Sequence, residues 1–277
     1  MRPLHAPAAL LLALLLSGPL AAAGWDGRLE RLRFDIRWLF IPAGTAIIQT
    51  RTGAAPDEVR LRIEACSNRL LDTFYPVRDQ VLAEARLTPA GLQPRRYRYR
   101  QREGSHHSDL QIDFEAGGRL VYRDLENNET LAFEVPAGTL DMASALFATR
   151  RLPLQVGDRY RLPVFDRKQA YSLEIEVLRR EALDTMLGDA TPTLVIHPRL
   201  QSEGIFKRTG EIFIWLTDDA AHIPVRMQSK VRIGSVISEL RAIERQSAEA
   251  AGDSGLLCER PGKGHSPKRR EAPDHAG

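Results

Sequence analysis

The sequence has 277 residues, of which 43% are hydrophobic and 27% are charged, and its formal net charge is +3. That charge is too small for a fold that binds nucleic acid or another polyanion over its whole surface. The chain has two cysteines, Cys66 and Cys258. They are too few for a cysteine-rich zinc site, and they do not have the C-x-x-C spacing of a redox pair.

The first 23 residues have the three parts of a secretory signal peptide. Arg2 gives a positive start, Leu10 to Leu16 form an apolar core, and Ala21-Ala22-Ala23 offer a small-x-small cleavage pattern. This apolar core is too short to span a bilayer, and no other window has the roughly 18 apolar residues of a membrane helix. We therefore predict signal peptide 1–23 and a mature periplasmic chain without a transmembrane segment.

Residues 24–245 are predicted to form a single β-rich domain. Apolar and polar side chains alternate in many short runs, as in strands with one buried face. A short helical turn is predicted at residues 67–74. The strand patterns of the first half cover residues 34–40, 44–51, 59–66, 77–87, 95–102, 109–114, 119–124 and 130–135.

The segment GTLDMASALFATRRLP, residues 138–153, breaks the strand pattern and predicts a helix. Thr139 or Asp141 is a candidate N-cap, and Pro153 ends the segment. The apolar surface of this helix is wide, so another element must cover it. A curved sheet with the helix on its concave side can enclose a hydrophobic cavity. Alternatively, the helix fills the core and leaves no cavity.

The second half adds strand patterns at residues 159–165, 171–178, 193–200, 211–216, 225–233 and 236–243. One loop between them contains Asp218, Asp219 and His222, which are residue types of metal and catalytic sites. Aspartate also favours turns, because its side chain bonds backbone amides two residues on. Pro224 suits the first position of the returning strand. We interpret this loop as a hairpin turn and predict neither a metal site nor catalysis.

About thirteen closely spaced strands predict a mainly β fold, an antiparallel barrel or strongly curved sheet with one apolar helix against or inside it. If the helix covers a cavity, an amphiphile can bind there, since burying an acyl chain yields roughly 0.8 kcal/mol per methylene. The side chains predicted to line this ligand-binding cavity are Phe34, Trp38, Met142, Leu146, Phe147 and Trp215.

The segment RRYRYRQR, residues 95–102, has five arginines and two tyrosines in eight positions. Strand alternation places Arg96, Arg98, Arg100 and Arg102 on one face. It places Arg95 on the other face, with the two tyrosines. A row of guanidinium groups can bind phosphate or carboxylate, which predicts contact with an anionic envelope polymer. The alternative is a charged edge strand that prevents aggregation. Export of the chain makes nucleic acid an unexpected partner.

No catalytic residue is predicted in this sequence. Ser105 to Asp109 collect serine, histidine and aspartate, but adjacent side chains on a strand point to opposite faces and cannot form a relay. His197, before a proline on an apolar strand, is interpreted as a core histidine, and a G-x-S-x-G elbow is missing. We expect a non-enzymatic protein without a cofactor. A hydrolase with a site assembled across strands is kept as an alternative.

Residues 246–277 are rich in Gly, Pro, Ser and charge, and they predict a disordered tail. A small basic cluster, Lys268-Arg269-Arg270, lies within it. An oxidising compartment allows Cys66 and Cys258 to form a disulfide. A bond between a core strand and a disordered tail has no evident purpose, however, so the pairing of the two cysteines stays open.

Several segments resemble the exported bacterial family called domain of unknown function 3108, over about residues 30–243. The segments are IPAGTA (41–46), DTFYPVRDQ (72–80), GLQPRRY (91–97), GEIFIWLTDD with IPVRM, and IGSVISEL (233–240). The resemblance implies a β-rich bacterial envelope protein and supplies no catalytic residue. One hairpin, with Trp215-Leu216-Thr217-Asp218 and Pro224, is also similar to periplasmic lipoprotein carriers.

Together these features predict an exported envelope protein that binds an amphiphile or an anionic envelope polymer. The main alternative is a structural or assembly factor that contacts another envelope protein. A cavity lined by the six predicted side chains favours the first hypothesis, and an interior filled by the helix favours the second.

Overall fold

The computed structural model describes residues 27–201, 211–231 and 233–246. The strands of the first half are β1 (Leu29–Trp38), β2 (Ile41–Thr52), β3 (Glu58–Ser67), β4 (Arg78–Thr88), β5 (Gly91–Glu103), β6 (His106–Phe114), β7 (Arg119–Asp124) and β8 (Glu129–Glu134). The second half contains β9 (Arg159–Asp166), β10 (Gln169–Thr185), β11 (Gly188–Gln201), β12 (Ile212–Thr217), β13 (Pro224–Lys230) and β14 (Ser235–Gln246). The helices are α1 (Arg69–Asp72) and α2 (Met142–Thr149). Within the described ranges, neither helix has the length and apolar character needed to cross a membrane.

All fourteen strands belong to one antiparallel sheet in the order β8-β7-β6-β5-β4-β3-β2-β1-β14-β13-β12-β11-β10-β9. Strands that follow each other in the chain are neighbours, and the pairing of β1 with β14 joins the two halves. The strands β8 and β9 are the edges, so the sheet is open. The predicted mainly β fold is confirmed, with fourteen strands where about thirteen were expected.

The two edges of the sheet approach each other across the segment that precedes α2. The backbone N–H of Leu140 donates to Pro163 O at 2.8 Å, and the N–H of Phe165 donates to Leu140 O at 2.9 Å. The ring of Phe133 in β8 lies 5.0 Å from the ring of Phe165 in β9. The sheet therefore curls far enough for both edges to share one core.

The main core lies where both halves of the sheet meet α2. Ala143, Ala145 and Phe147 of the helix are buried in one cluster with side chains such as Leu61 of β3 and Ile196 of β11. The predicted placement of an apolar helix against the sheet is confirmed. A second cluster packs residues of β1, β2 and β11 to β14, including Leu32, Phe34, Trp215, Val225 and Leu240.

The α2 helix is shorter than the predicted segment 138–153. Asp141 is its N-cap: its carboxylate accepts hydrogen bonds from Ser144 N at 2.8 Å and Ser144 Oγ at 2.6 Å. The helix ends at Thr149, and the next residues form tight turns that lead to Pro153. The residue before a proline disfavours helical backbone, so the helix could not continue past Arg151.

Two boundaries differ slightly from the predicted ones. The short helix α1, Arg69–Asp72, lies within the predicted turn at residues 67–74 and is capped by Asn68. Gln246 is the last residue of β14, one residue past 245, and the predicted domain bounds 24–245 stay a prediction. The predicted signal peptide and the remainder of the predicted tail lie outside the described residues.

Candidate functional site

The loop with Asp218, Asp219 and His222 is a turn held by its own side chains. Asp219 Oδ1 accepts hydrogen bonds from Thr217 Oγ1 at 2.8 Å and from His222 N at 3.2 Å. Asp218 pairs instead with Arg180 at 2.7 Å. The side chains therefore engage separate partners. In the part of the chain that the structure describes, no three His, Cys, Asp or Glu side chains gather where they could hold a metal ion.

His222 belongs to a buried polar contact that we call the Arg150 clasp, formed by Arg150, Glu30 and His222. Arg150 Nη1 pairs with Glu30 Oε1 at 2.7 Å, and Arg150 Nε donates to His222 O at 3.1 Å. In return, His222 Nδ1 lies 2.9 Å from Arg150 O. The clasp ties the end of α2 to the β12–β13 loop and to β1, so the structure gives His222 a structural role.

Five of the six side chains predicted to line a ligand cavity are divided between the two clusters. Met142, Leu146 and Phe147 pack in the main core, whereas Phe34 and Trp215 belong to the second cluster. Leu146 also contacts the second cluster. Leu146 is therefore the side chain of this set that contacts both clusters.

The sixth predicted residue, Trp38, stands at the end of β1, where its indole N–H donates to Ile233 O at 2.9 Å. The cavity beside α2, lined in part by Leu146 and Phe147, has a volume of about 10 Å³. A space of that size holds at most one water molecule. The described side chains beside α2 therefore pack closely, and whether the protein contains a ligand cavity stays a prediction.

The predicted row of arginines on β5 faces carboxylates of β6. Arg96 pairs with Asp113 at 2.7 Å, while Arg98 and Arg100 pair with Asp109 at 2.9 and 3.3 Å. Because β5 lies between β4 and β6, it is not the charged edge strand of the alternative interpretation. Much of the positive charge of this row is therefore neutralised within the protein.

A β-bulge in β5 changes the predicted orientation of Arg95. Ala85 pairs with Pro94 and Glu84 pairs with Arg96, so Arg95 is the extra residue between two registers. Both Arg95 and Arg96 are exposed, whereas Tyr97 is buried. The expectation that Arg95 shares the face of the tyrosines was wrong, because a bulge shifts strand alternation by one residue. Pro94 was the available signal, since proline inside a sheet occurs mainly at edges and bulges.

The bulge turns two consecutive arginines toward a polar cleft with a volume of about 580 Å³. We call this the arginine cleft; its charged lining consists of Glu58, Arg60, Glu84, Arg95, Arg96, Asp113 and Arg123. Strand register places four of these in a row of alternating charge across β3 to β6, namely Arg60, Glu84, Arg96 and Asp113. Cation and anion are balanced in that row, and Arg95 stands outside it.

The arginines also control the ionisation of the carboxylates in the cleft. Burial raises the pKa of Asp113, but hydrogen bonds from Arg96, Gln111 and Arg123 outweigh this effect and hold the pKa below its usual value. The pKa of Glu58 is lowered first by backbone N–H groups of the β2–β3 turn and then by Arg60 and Arg95. The surroundings of Asp113 and Glu58 thus favour the ionised forms of these two carboxylates.

A different carboxyl group is protonated more easily than usual. Burial, together with the neighbouring carboxylate of Glu103, raises the pKa of Asp79 to about 7. The backbone N–H of Arg102, the last arginine of the predicted row, donates to Asp79 at 3.1 Å and opposes this shift. Tyr99 also bonds the Asp79 carboxyl and lowers its pKa. Asp79 is therefore a pH-sensitive group at the end of the sheet that contains the β5–β6 turn.

Replacing Asp79 by asparagine should change how stability depends on pH. A carboxyl with a raised pKa binds its proton more tightly in the folded state than in the unfolded state. Its contribution to the free energy of unfolding is therefore full below the unfolded pKa near 4 and is lost as pH rises through about 7. At pH 8 we expect Asp79→Asn to be about 1 kcal/mol more stable than the wild type, because solvent screens part of the burial cost. Urea unfolding at pH 4 to 8 measures this difference.

The shape of the difference curve is the decisive observation for Asp79. The pKa of buried Asp141 is also raised, to about 6. Asp141 therefore gives the free energy of unfolding the same pH dependence in both proteins, and this effect cancels when the two are compared. A difference between Asp79→Asn and wild type that stays constant from pH 4 to 8 would contradict the assignment.

Cys66 at the end of β3 is disulfide-bonded. The sequence contains one other cysteine, Cys258, which lies outside the described residues. From the sequence alone, the pairing of Cys66 stayed open. The structure shows that this thiol is not free, and it leaves the described part of the chain without a free cysteine.

A family model described as "Protein of unknown function (DUF3108)" matches residues 33–241. The chain belongs to this family. The resemblance noted from its segments is therefore confirmed. No curated protein matches the chain, and the similarity of one hairpin to lipoprotein carriers stays a prediction.

Solved structures similar to this DUF3108 protein are themselves domains of unknown function. A β-barrel-like DUF1849 protein from Brucella abortus superimposes with a TM-score of 0.52 at 11% identity, covering 79% of this chain and 98% of that one. A DUF1089 family protein from Pseudomonas aeruginosa has a TM-score of 0.34 at 15% identity, covering 65% and 87% of the two chains. A hypothetical protein from Chlamydia trachomatis has a TM-score of 0.34 at 8% identity, with 86% and 95% covered. The first of these supports the barrel-like fold and says nothing about function.

Proposed function

We propose that this DUF3108 protein is an exported, non-enzymatic component of the bacterial envelope that binds a polymer bearing phosphate or carboxylate groups. The arginine cleft is the observation that carries this proposal. Export is supported by the charge, apolar core and cleavage pattern of residues 1–23.

The cleft suits an extended anion better than a small buried one. Its walls include charged side chains from five adjacent strands, and the guanidinium groups of Arg60, Arg96 and Arg123 are held in position by carboxylates. Held guanidinium groups lose little conformational freedom when they bind an oxyanion. Arg95 adds a cation outside the balanced row, so it is the side chain with most to gain from an anionic ligand.

The described histidines support binding without catalysis. His106 and His107 are exposed beside the β5–β6 turn, His197 stacks on Phe213 with ring centroids 4.6 Å apart, and His222 belongs to the Arg150 clasp. These positions are spread over different parts of the sheet. A relay of nucleophile and base needs its groups within hydrogen-bond distance of each other.

A structural or assembly role is the second candidate, and the filled interior favours it. The cavity of about 10 Å³ beside α2 leaves no space for an acyl chain in this conformation. The notion of an amphiphile inside the sheet is therefore not supported by the geometry of the described residues. An assembly factor and an anion-binding protein both act through their outer surfaces, and binding assays separate them.

We expect Arg95→Gln to weaken polyanion binding by about tenfold, because one charge-assisted contact is worth 1.5–3 kcal/mol at most and is partly screened. Fluorescence anisotropy with labelled polyphosphate, and separately with labelled polyglutamate, measures the affinity and distinguishes phosphate from carboxylate. Binding should weaken as salt rises.

Arg33→Gln is the matched control for this experiment. Arg33 is an exposed arginine of β1 that does not line the cleft, so its replacement should leave affinity within about twofold. Equal losses in both variants would show that net charge, rather than the cleft, attracts the polymer. Absence of wild-type binding to either polymer at low salt would reject the proposed function and favour the assembly role.

A further inference from the structure

Exposed apolar side chains are distributed unevenly over this protein. Among the described residues, fourteen large hydrophobic side chains are exposed. One end of the sheet carries α1 and turns such as β1–β2, β5–β6 and β13–β14. Ten of the fourteen lie at this end, and only Leu82, Val156, Met186 and Leu187 lie elsewhere. Exposed apolar groups that gather in one place mark an interaction surface.

Six of these side chains form a group that we call the apolar rim. They stand in pairs on three neighbouring segments: Leu39 and Phe40 in the β1–β2 turn, Leu70 and Phe74 in and after α1, and Val231 and Ile233 in the β13–β14 turn. Phe40, Phe74 and Ile233 are 83%, 80% and 68% exposed. These are projecting tips, since a side chain in a groove would keep much less of its surface open to solvent.

Backbone hydrogen bonds hold the three tips next to each other. Leu39 N donates to Ser235 O at 2.9 Å, which joins the first tip to the β13–β14 turn. Asn68, the N-cap of α1, donates from its backbone N–H to Ala43 O at 2.8 Å and thereby joins α1 to the start of β2. The rim is therefore a fixed feature of one end of the sheet.

Charged groups of both signs lie at this end of the sheet, where Glu103 hydrogen-bonds Tyr75 and Asp79 lies nearby. Asp72 of α1 is neutralised by Arg78 at 2.7 Å, and Glu211 is neutralised by Lys230. The exposed guanidinium of Arg69, by contrast, stands next to Leu70. This combination of protruding apolar groups and a neighbouring cation complements a surface of apolar chains beneath anionic headgroups.

Both ends of the described chain leave the sheet far from the rim. Leu29 of β1 pairs with Gln246 of β14, and β1 runs for ten residues from that pair toward the rim. At about 3.3 Å per residue, the separation is about 33 Å. The rim can therefore meet a flat surface while the sequences before and after the sheet start on its opposite side.

We propose that the apolar rim docks onto the surface of an anionic lipid bilayer. Separate tips fit this partner, because each can enter the interfacial region independently, whereas a protein partner needs a continuous complementary face. The cation of Arg69 then lies at headgroup level. This inference is independent of the arginine cleft, which lies on the outer face of β3 to β7.

Vesicle flotation with the purified full-length protein tests the proposal. We expect wild-type protein to float with vesicles of phosphatidylcholine and phosphatidylglycerol, and the double variant Phe40→Ser, Phe74→Ser to bind at least about tenfold more weakly. The matched control is Met186→Ser, Leu187→Ser, whose side chains are 42% and 44% exposed at the opposite end. This control should float like the wild type, and thermal melting of all three proteins checks that they are folded.

Two results would overturn the proposal. Wild-type protein that stays unbound at physiological salt, or equal flotation of the wild type and the rim variant, shows that the rim does not contact lipid. Loss of a concentration-dependent dimer in the rim variant, without a change in flotation, would assign the rim to a second copy of the chain instead.

Discussion

Phe147→Ala is expected to lower the free energy of unfolding by about 3–5 kcal/mol, which would make it one of the most destabilising single changes in this protein. Phe147 is 4% exposed and packs in the main core between the two halves of the sheet. Truncation removes a large buried ring and leaves a cavity that the surrounding strands can fill only in part. Urea unfolding followed by circular dichroism measures the loss.

Phe40→Ala is the control for this prediction, because Phe40 is 83% exposed and its truncation should change stability by no more than about 0.5 kcal/mol. A loss below about 1 kcal/mol for Phe147→Ala would mean that α2 covers loosely packed space. In that case a fluorescent fatty acid should bind the wild type and bind the variant more weakly. We expect the wild type not to bind such a probe, because the cavity beside α2 is about 10 Å³.

Breaking the Arg150 clasp should have an effect of similar size. Arg150 and Glu30 have side chains that are 9% and 7% exposed, and their charged atoms are 2.7 Å apart. Arg150→Ala leaves the buried Glu30 carboxylate with one remaining cation, Arg245 at 3.3 Å, and loss of a buried ionic partner typically costs about 3–5 kcal/mol. Arg150→Ala also removes the donors to the carbonyl groups of Ala221 and His222. We therefore expect Arg150→Ala to destabilise the protein by about 3–5 kcal/mol.

A double-mutant cycle with Glu30→Gln separates the ion pair from the carbonyl contacts. The double variant should lose clearly less stability than the sum of the two single losses, because the two single changes break the same ion pair. Arg159→Ala tests an exposed pair, since Arg159 is 63% exposed where it meets Glu176, and should cost less than about 1 kcal/mol. If Arg150→Ala costs no more than Arg159→Ala, the clasp is not a structural contact.

These two expectations also bear on function. The clasp and Phe147 both hold α2 against the curved sheet. The arginine cleft and the apolar rim, the two surfaces proposed for binding, lie on the outside. The two surfaces differ in chemistry and position, so a variant of one surface serves as a control in binding experiments on the other.

The sequence was sufficient to place the strands and the hairpin turn. Alternation of apolar and polar residues is a local signal, so each strand was recognised without knowledge of its partners. The turn at Asp219 was predicted for the reason that the structure shows, a carboxylate that accepts hydrogen bonds from nearby groups in the chain. Membership of the DUF3108 family was likewise recognisable from segments of the chain.

The tertiary structure decided the features that depend on distant residues. Arg150 and Glu30 are 120 positions apart, and local sequence contains no signal that pairs them. The arginine cleft depends on the register of five strands and on one bulge at Arg95, where strand alternation alone gave the wrong face. Whether α2 filled the interior or covered a cavity was also open, because packing volume is a property of all the strands that surround the helix.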